Sequence, residues 1–264
     1  MSALAYLEVI DPPLMPQVVL AGFNLTQHPL RIFDLDRLAA KQRRIIGSVR
    51  GLLSPAEAKI YLSSDLVPRQ EPWIIYHETG HAMIEWHREA LYLDTTHTLS
   101  PGVLIQMEKE ANEFAGNLLF LGPRFAGDAR ELPFGVASAI MLAERYGASI
   151  EASLRRYIES ATEQCVCNVF HIATRPDGQR TLTFRYFTRP ARQYGRWTFG
   201  REMGQTLSSD DPLSIALNEC VLDDGAVHYG TRVDEATGHV YHQEVLSTGH
   251  AVFVVVRMLP LRSH

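Results

Sequence analysis

The chain has 264 residues, of which 46% are hydrophobic and 21% charged, so it can bury one large core or two modest ones. A formal charge of −5 argues against a protein built to coat nucleic acid, although residues 175–201 are locally basic. No apolar run approaches the roughly 20 residues that span a bilayer, and three cysteines cannot all be paired, which fits a reducing cytoplasm.

The opening "MSALAYLEVIDPPLMP" has no basic n-region and reaches two prolines too early for a secretory signal. Residues 1–30 are punctuated by proline and hard to place. "DLDRLAAKQRRIIGSV" places Leu35, Leu38, Ala39 and Ile45 on one side of a predicted helix. "AKIYLSSDL" alternates like a strand and is closed by Pro68 and Pro72. A helix is predicted from Trp73 to about Ala90, then a loop over 91–101, then a second helix from about Val103 to Phe120. Two shorter helices follow, over 134–146 and from Ile150, separated by Gly147 and with Ser149 able to cap the second.

After about Glu163 the texture changes. "CVCNVFHIA" and "RTLTFRYFT" are β-branched and aromatic runs joined by "TRPDGQ", a hairpin signal. "AVHYGTRVD" and "HVYHQEVL" flank "EATG", "HAVFVVVRML" reads as a buried strand, and "PLSIALNECV" is a helical interruption. The expected fold class is therefore α+β, a mostly helical half followed by a β-rich half.

The chemistry concentrates in "IIYHETGHAMIEWH", residues 74–87, which contains His-Glu-x-x-His. His77 and His81 are four apart and share one helix face, so both can bind one ion. Glu78 sits about 100° round the helix, too far to ligate with them but placed to take a proton from a water on the metal. Trp73, Ile74, Ile75, Ala82, Met83 and Ile84 make this helix largely apolar, and two histidines on such a helix need partners. The expected cofactor is Zn2+.

For a third ligand there are two routes. His87 lies ten residues after His77, the metzincin spacing, but that arrangement needs a glycine where this chain has Ile84. On a continuing helix His87 points about 120° away from His81, which favours a partly exposed histidine over a ligand. The other route is a glutamate of the second helix, whose core stripe includes Met107, Ala111, Ala115 and Leu118. Relative to Ala111, Glu108 lies about 60° to one side and Glu110 about 100° to the other. Glu113 points to solvent. Glu108 is the better placed and Glu110 the alternative, with Asn112 able to support a neighbouring ligand.

"HETGHAMIEWH" and "MEKEANEFAGNLLF" together resemble the two motifs of the ImmA/IrrE family of zinc metallopeptidases. "LAERYGASIEASLRRYIE" is similar to the helix-turn-helix-like segment after the peptidase core of IrrE-like members, and the β-rich tail to their GAF-like domain. The resemblance covers roughly 35–260, is specific over the two motifs, and departs in having Thr79 for an aliphatic residue and "LLFLGP" for a Leu-Leu-Met-Pro ending.

It implies a zincin-like metallopeptidase domain at 1–132, a helix-turn-helix-like segment at 133–163 and a GAF-like domain at 164–264. It also implies a third ligand at Glu108 or Glu110. The implied activity is a cytoplasmic zinc endopeptidase that cuts a protein substrate, a helix-turn-helix transcriptional repressor, in a stress-response or mobile-element circuit. Direct nucleic-acid or membrane binding is not expected, and the C-terminal domain is a place for a small molecule or a partner. Such sites use a hydrogen-bond donor toward the transition state, for which Tyr76, Tyr92 and His97 are candidates. An alternative is a regulatory sensor or binding protein whose zinc site is structural or inactive.

Other features carry less. Cys165 and Cys167 share a strand face and read as buried apolar residues. Arg155 and Arg156 read as a solvated or interdomain face, and His239 and His242 have the wrong spacing for one strand face.

Overall fold

The computed structural model describes residues 3–7, 11–30, 50–88, 100–190, 192–193, 202–223, 225–233 and 239–259. The helix expected over 34–49, the candidates Tyr92 and His97, and the "EATG" turn lie outside the described residues. The fold is α+β, with a helical N-terminal part and a β-rich C-terminal part. The chain divides into two compact units, one of residues 1–125 with 144–149, the other of 126–143 with 150–264. Most of the segment between the two motif helices and the C-terminal strands thus belongs with the sheet that follows it. No helix among the described residues is long and apolar enough to cross a membrane.

The first unit begins with α1 (Ala3–Tyr6) and α2 (Pro16–Gly22), then three strands, β1 (Thr26–Pro29), β2 (Gly51–Ser54) and β3 (Lys59–Leu62). β3 is central, parallel to β1 and antiparallel to β2. Its alternation holds: Ile60 and Leu62 are buried while Lys59 and Tyr61 are not. Helices α3 (Glu71–Met83) and α4 (Pro101–Leu119) pack on one another. Proline occupies the first turn of each, where the missing N–H costs nothing, and Ser100 Oγ accepts from the Val103 N–H at 3.4 Å.

The α3–α4 approach is close because Gly80 faces Ala111 and Phe114; a Cβ on Gly80 would stand 3.2 Å from Ala111 Cα. Gly80→Val therefore drives the helices apart and is expected to destabilise the protein by about 1–3 kcal/mol. Thermal unfolding of the variant checks this.

The expected α3 is longer than the observed one. The helix stops at Met83, Ile84 takes an extended conformation (φ −77°, ψ 113°), and residues 85–88 form a new helical turn. A β-branched residue resists a left-handed turn but is at home in extended backbone. The break therefore needs no glycine.

Helices α5 (Arg124–Arg130) and α6 (Val136–Tyr146) follow; Gly147 (φ +64°) ends α6 in the left-handed conformation that favours glycine. In the second unit α7 (Ile150–Ser160) packs on β4 (Cys165–Thr174) and β5 (Arg180–Thr188). β4 and β5 form the expected hairpin. They are joined in order β5-β4-β8-β7-β6 with β6 (Val227–Val233), β7 (Val240–Ser247) and β8 (Ala251–Met258), all antiparallel.

α8 (Pro212–Asn218) sets Leu213 and Leu217 in a core with Phe170, Phe184, Val252 and Val254. The β4–β5 register shifts at Val169/Phe170, where Arg185 is an extra residue between paired Phe184 and Tyr186. That bulge lets Phe184 and Phe187 serve the same core despite odd spacing. Cys165 and Cys167 are both buried. Glu244, also buried, accepts from the Val136 N–H at 2.7 Å and so caps the start of α6.

Candidate metal centre

α3 and α4 bring His77, His81 and Glu108 together. His77 Nε2 and His81 Nε2 are 3.2 Å apart, and Glu108 puts Oε2 3.4 Å from the first and Oε1 3.5 Å from the second. A tetrahedral ion with ligand bonds of about 2.0–2.1 Å needs donors about 3.3 Å apart. The His77–His81 separation matches an edge of such a tetrahedron, and the Glu108 carboxylate turns one oxygen toward each imidazole nitrogen, an arrangement that suits a shared cation. Among the described residues this is the cluster of His, Cys, Asp and Glu that could hold a metal. The donor set, two imidazoles and a carboxylate, fits Zn2+ with a fourth position open.

The supporting contacts fix the ring orientation of His77. Its Nδ1 lies 3.1 Å from Asn112 Oδ1, one turn along α4 from Glu108. Asn112 oxygen only accepts, so Nδ1 carries the proton and Nε2 keeps its lone pair for the ion. Without an ion, Glu108 is drawn well below the usual carboxylate range, chiefly by hydrogen bonding to protonated His77 and then His81, protons that an ion on the two Nε2 atoms would replace. Burial lowers the pKa of His77, but the Glu108 hydrogen bond and the charges of Glu78 and Glu108 outweigh it, so the net shift is upward.

Glu78 is held between α3 and the edge strand β2. Burial raises its pKa, opposed by the charges of His77 and His81 and by a hydrogen bond from the Leu53 backbone. Gly51 opens β2 beside it, and an added Cβ there would collide with Ile74 Cγ2 and come within 3.1 Å of Glu78 Oε1. Gly51→Val is therefore expected to displace Glu78 while leaving His77, His81 and Glu108 in place. Metal content of the purified variant should equal that of the wild type, and loss of the metal would contradict this.

The remaining sequence candidates fall elsewhere. Glu110 turns away from the cluster: it accepts from Trp86 Nε1 at 2.8 Å and Gln106 Nε2 at 2.6 Å. Glu113 is exposed. His87, expected to be partly exposed on a continuing helix, is instead fully buried, because the break at Ile84 swings it under His81. Burial, then the charge of His81, lowers its pKa and favours the neutral ring. Tyr76 is buried with its hydroxyl donating to the Leu14 carbonyl at 2.5 Å, so it is committed to the core. Arg155 pairs with Glu159 at 3.0 Å, and His242 Nδ1 lies 3.7 Å from Glu244.

Sequence reasoning did not single out Gly51 and Leu53. "GLLS" is too short to reveal a strand, and its packing on α3 carries no local signal.

No protein-family model matches the chain, and no curated protein matches it. The fold is similar to that of a Mycobacterium tuberculosis transcriptional regulator of known structure, with a TM-score of 0.54 over 99% of this chain and 89% of that one. Identity is 11%, so the likeness speaks for the fold alone.

Proposed function

We propose that this protein is a zinc metallo-endopeptidase of the ImmA/IrrE type that cleaves a protein substrate, a helix-turn-helix transcriptional repressor. The observation that carries this reading is the convergence of two imidazole nitrogens and the Glu108 carboxylate, with Glu78 beside them. His77, His81 and Glu108 would hold the ion. Bound zinc supplies Lewis acidity, polarising a carbonyl and lowering the pKa of a water to about 7.

Glu78 then takes the proton of the attacking water at its carboxylate and delivers it to the leaving amine. Burial, which raises its pKa, makes Glu78 a better proton acceptor than an exposed carboxylate. Asn112 keeps His77 in the tautomer that presents Nε2.

The IrrE-like motifs support a role in gene control. In this reading the β-rich unit receives a small molecule or partner that governs cleavage.

A second reading, a regulator whose metal centre is structural, is favoured by Tyr76, a candidate transition-state donor that is committed to the core instead. The two separate on incubation of purified, zinc-loaded protein with helix-turn-helix repressors from the same organism. Cleavage at one bond, blocked by chelation and restored by zinc, supports the peptidase; an intact repressor supports the structural centre.

A further inference from the structure

The stretch that supplies His77 and His81 holds a third histidine, and the metal centre as described gives it no part. His87 Nδ1 lies 3.2 Å from His81 Nδ1, on the opposite edge of the His81 ring from the nitrogen facing His77 and Glu108. On the far side of the His87 ring, Nε2 lies 3.3 Å from Glu110 Oε2. His87 is fully buried, and that Nε2 has no aligned hydrogen-bond partner, so Glu110 is the group that compensates it. Glu110 is in turn held by Trp86 and Gln106.

These contacts admit one proton arrangement compatible with a metal on His81 Nε2. His81 must carry its proton on Nδ1 and donate it; His87 Nδ1 must accept; His87 must then carry its own proton on Nε2, toward the Glu110 carboxylate. Both glutamates that the sequence offered as ligands thus find a place, one in the cluster and one two imidazoles away from it. A ligand role for His87 does not fit, since its Nδ1 addresses the non-ligating edge of His81 and its Nε2 addresses Glu110.

We propose that His87, hydrogen-bonded to His81 and held from behind by the charge of Glu110, forms an outer relay that orients His81 and fixes its tautomer for metal binding, making His87 a positioning residue. This rests on the metal centre proposed above. Relays of this kind change metal affinity by about 10- to 100-fold when broken.

The test is a zinc titration of the full chain against a chromophoric chelator, paired with the visible spectrum of the Co2+ form. His87→Phe keeps the ring volume and removes the acceptor. It should weaken zinc binding by about 10- to 100-fold and alter the Co2+ spectrum. His87→Asn restores an acceptor near the Nδ1 position and should recover most of the loss. Glu110→Gln, at a partly exposed site that spares the core, should weaken binding in the same direction by a smaller factor.

Wild-type affinity and an unchanged Co2+ spectrum in both His87→Phe and Glu110→Gln would overturn the relay while leaving the metal centre standing. Complete loss of the ion in His87→Asn, with Glu108→Ala retaining it, would make His87 a ligand and overturn it as well. A wild-type chain that binds no zinc would remove both the relay and the reading on which it rests.

Discussion

Glu78→Gln is expected to keep a full equivalent of zinc and to lose repressor cleavage by about 10²–10⁴-fold, the range for removing a general base. The side chain is the same size, and the contacts that join His77, His81, Glu108 and Asn112 do not include it. What the amide cannot do is accept a proton from water. Metal analysis and a cleavage assay on the same preparation read the two effects separately. A variant that retains zinc and still cuts at the wild-type rate would reassign the base. An unaltered cellular phenotype would favour the structural centre over the peptidase.

Glu108→Ala is expected to empty the centre. With the carboxylate gone, two imidazoles remain, and a chelate of three protein donors drops to two. Glu110→Ala should retain one zinc per chain, weakened only through the relay, since Glu110 engages Trp86, Gln106 and His87 rather than the cluster. Metal content after exhaustive dialysis distinguishes the pair. The helical phase of α4 already separates them: Glu108 and Glu110 flank Ala111, which is buried against α3, on opposite sides.

That contrast shows what a sequence can carry. Period-3.6 patterns placed α3 and α4, and with them His77, His81 and the choice between Glu108 and Glu110, because all of these follow from helix geometry alone. The β-rich half was as readable: alternation and turn residues located β4 to β8 within a residue or two, though not their order in the sheet. The register shift opposite Val169 and Phe170 was invisible, since "TFRYF" reads as plain alternation until the pairing strand is known.

The failures share a cause in tertiary structure. β1 and β2 are four residues each; β1 takes its hydrogen bonds from β3, distant in sequence, and β2, which pairs with the nearby β3, is too short to show an alternation. Ile84 misled in a different way. A helix was expected to continue because the residue disfavours a left-handed turn, yet the chain breaks there through extended backbone. One dihedral pair thus changes His87 from a partly exposed helix-end residue to a buried one behind His81.

The most direct measurement is an anomalous difference map collected at the zinc edge from crystals of the full chain. The account predicts one peak, bonded to His77 Nε2, His81 Nε2 and a Glu108 carboxylate oxygen, with His87 outside bonding distance. A peak bonded to His87 or Glu110, or no peak in zinc-soaked crystals, would contradict it.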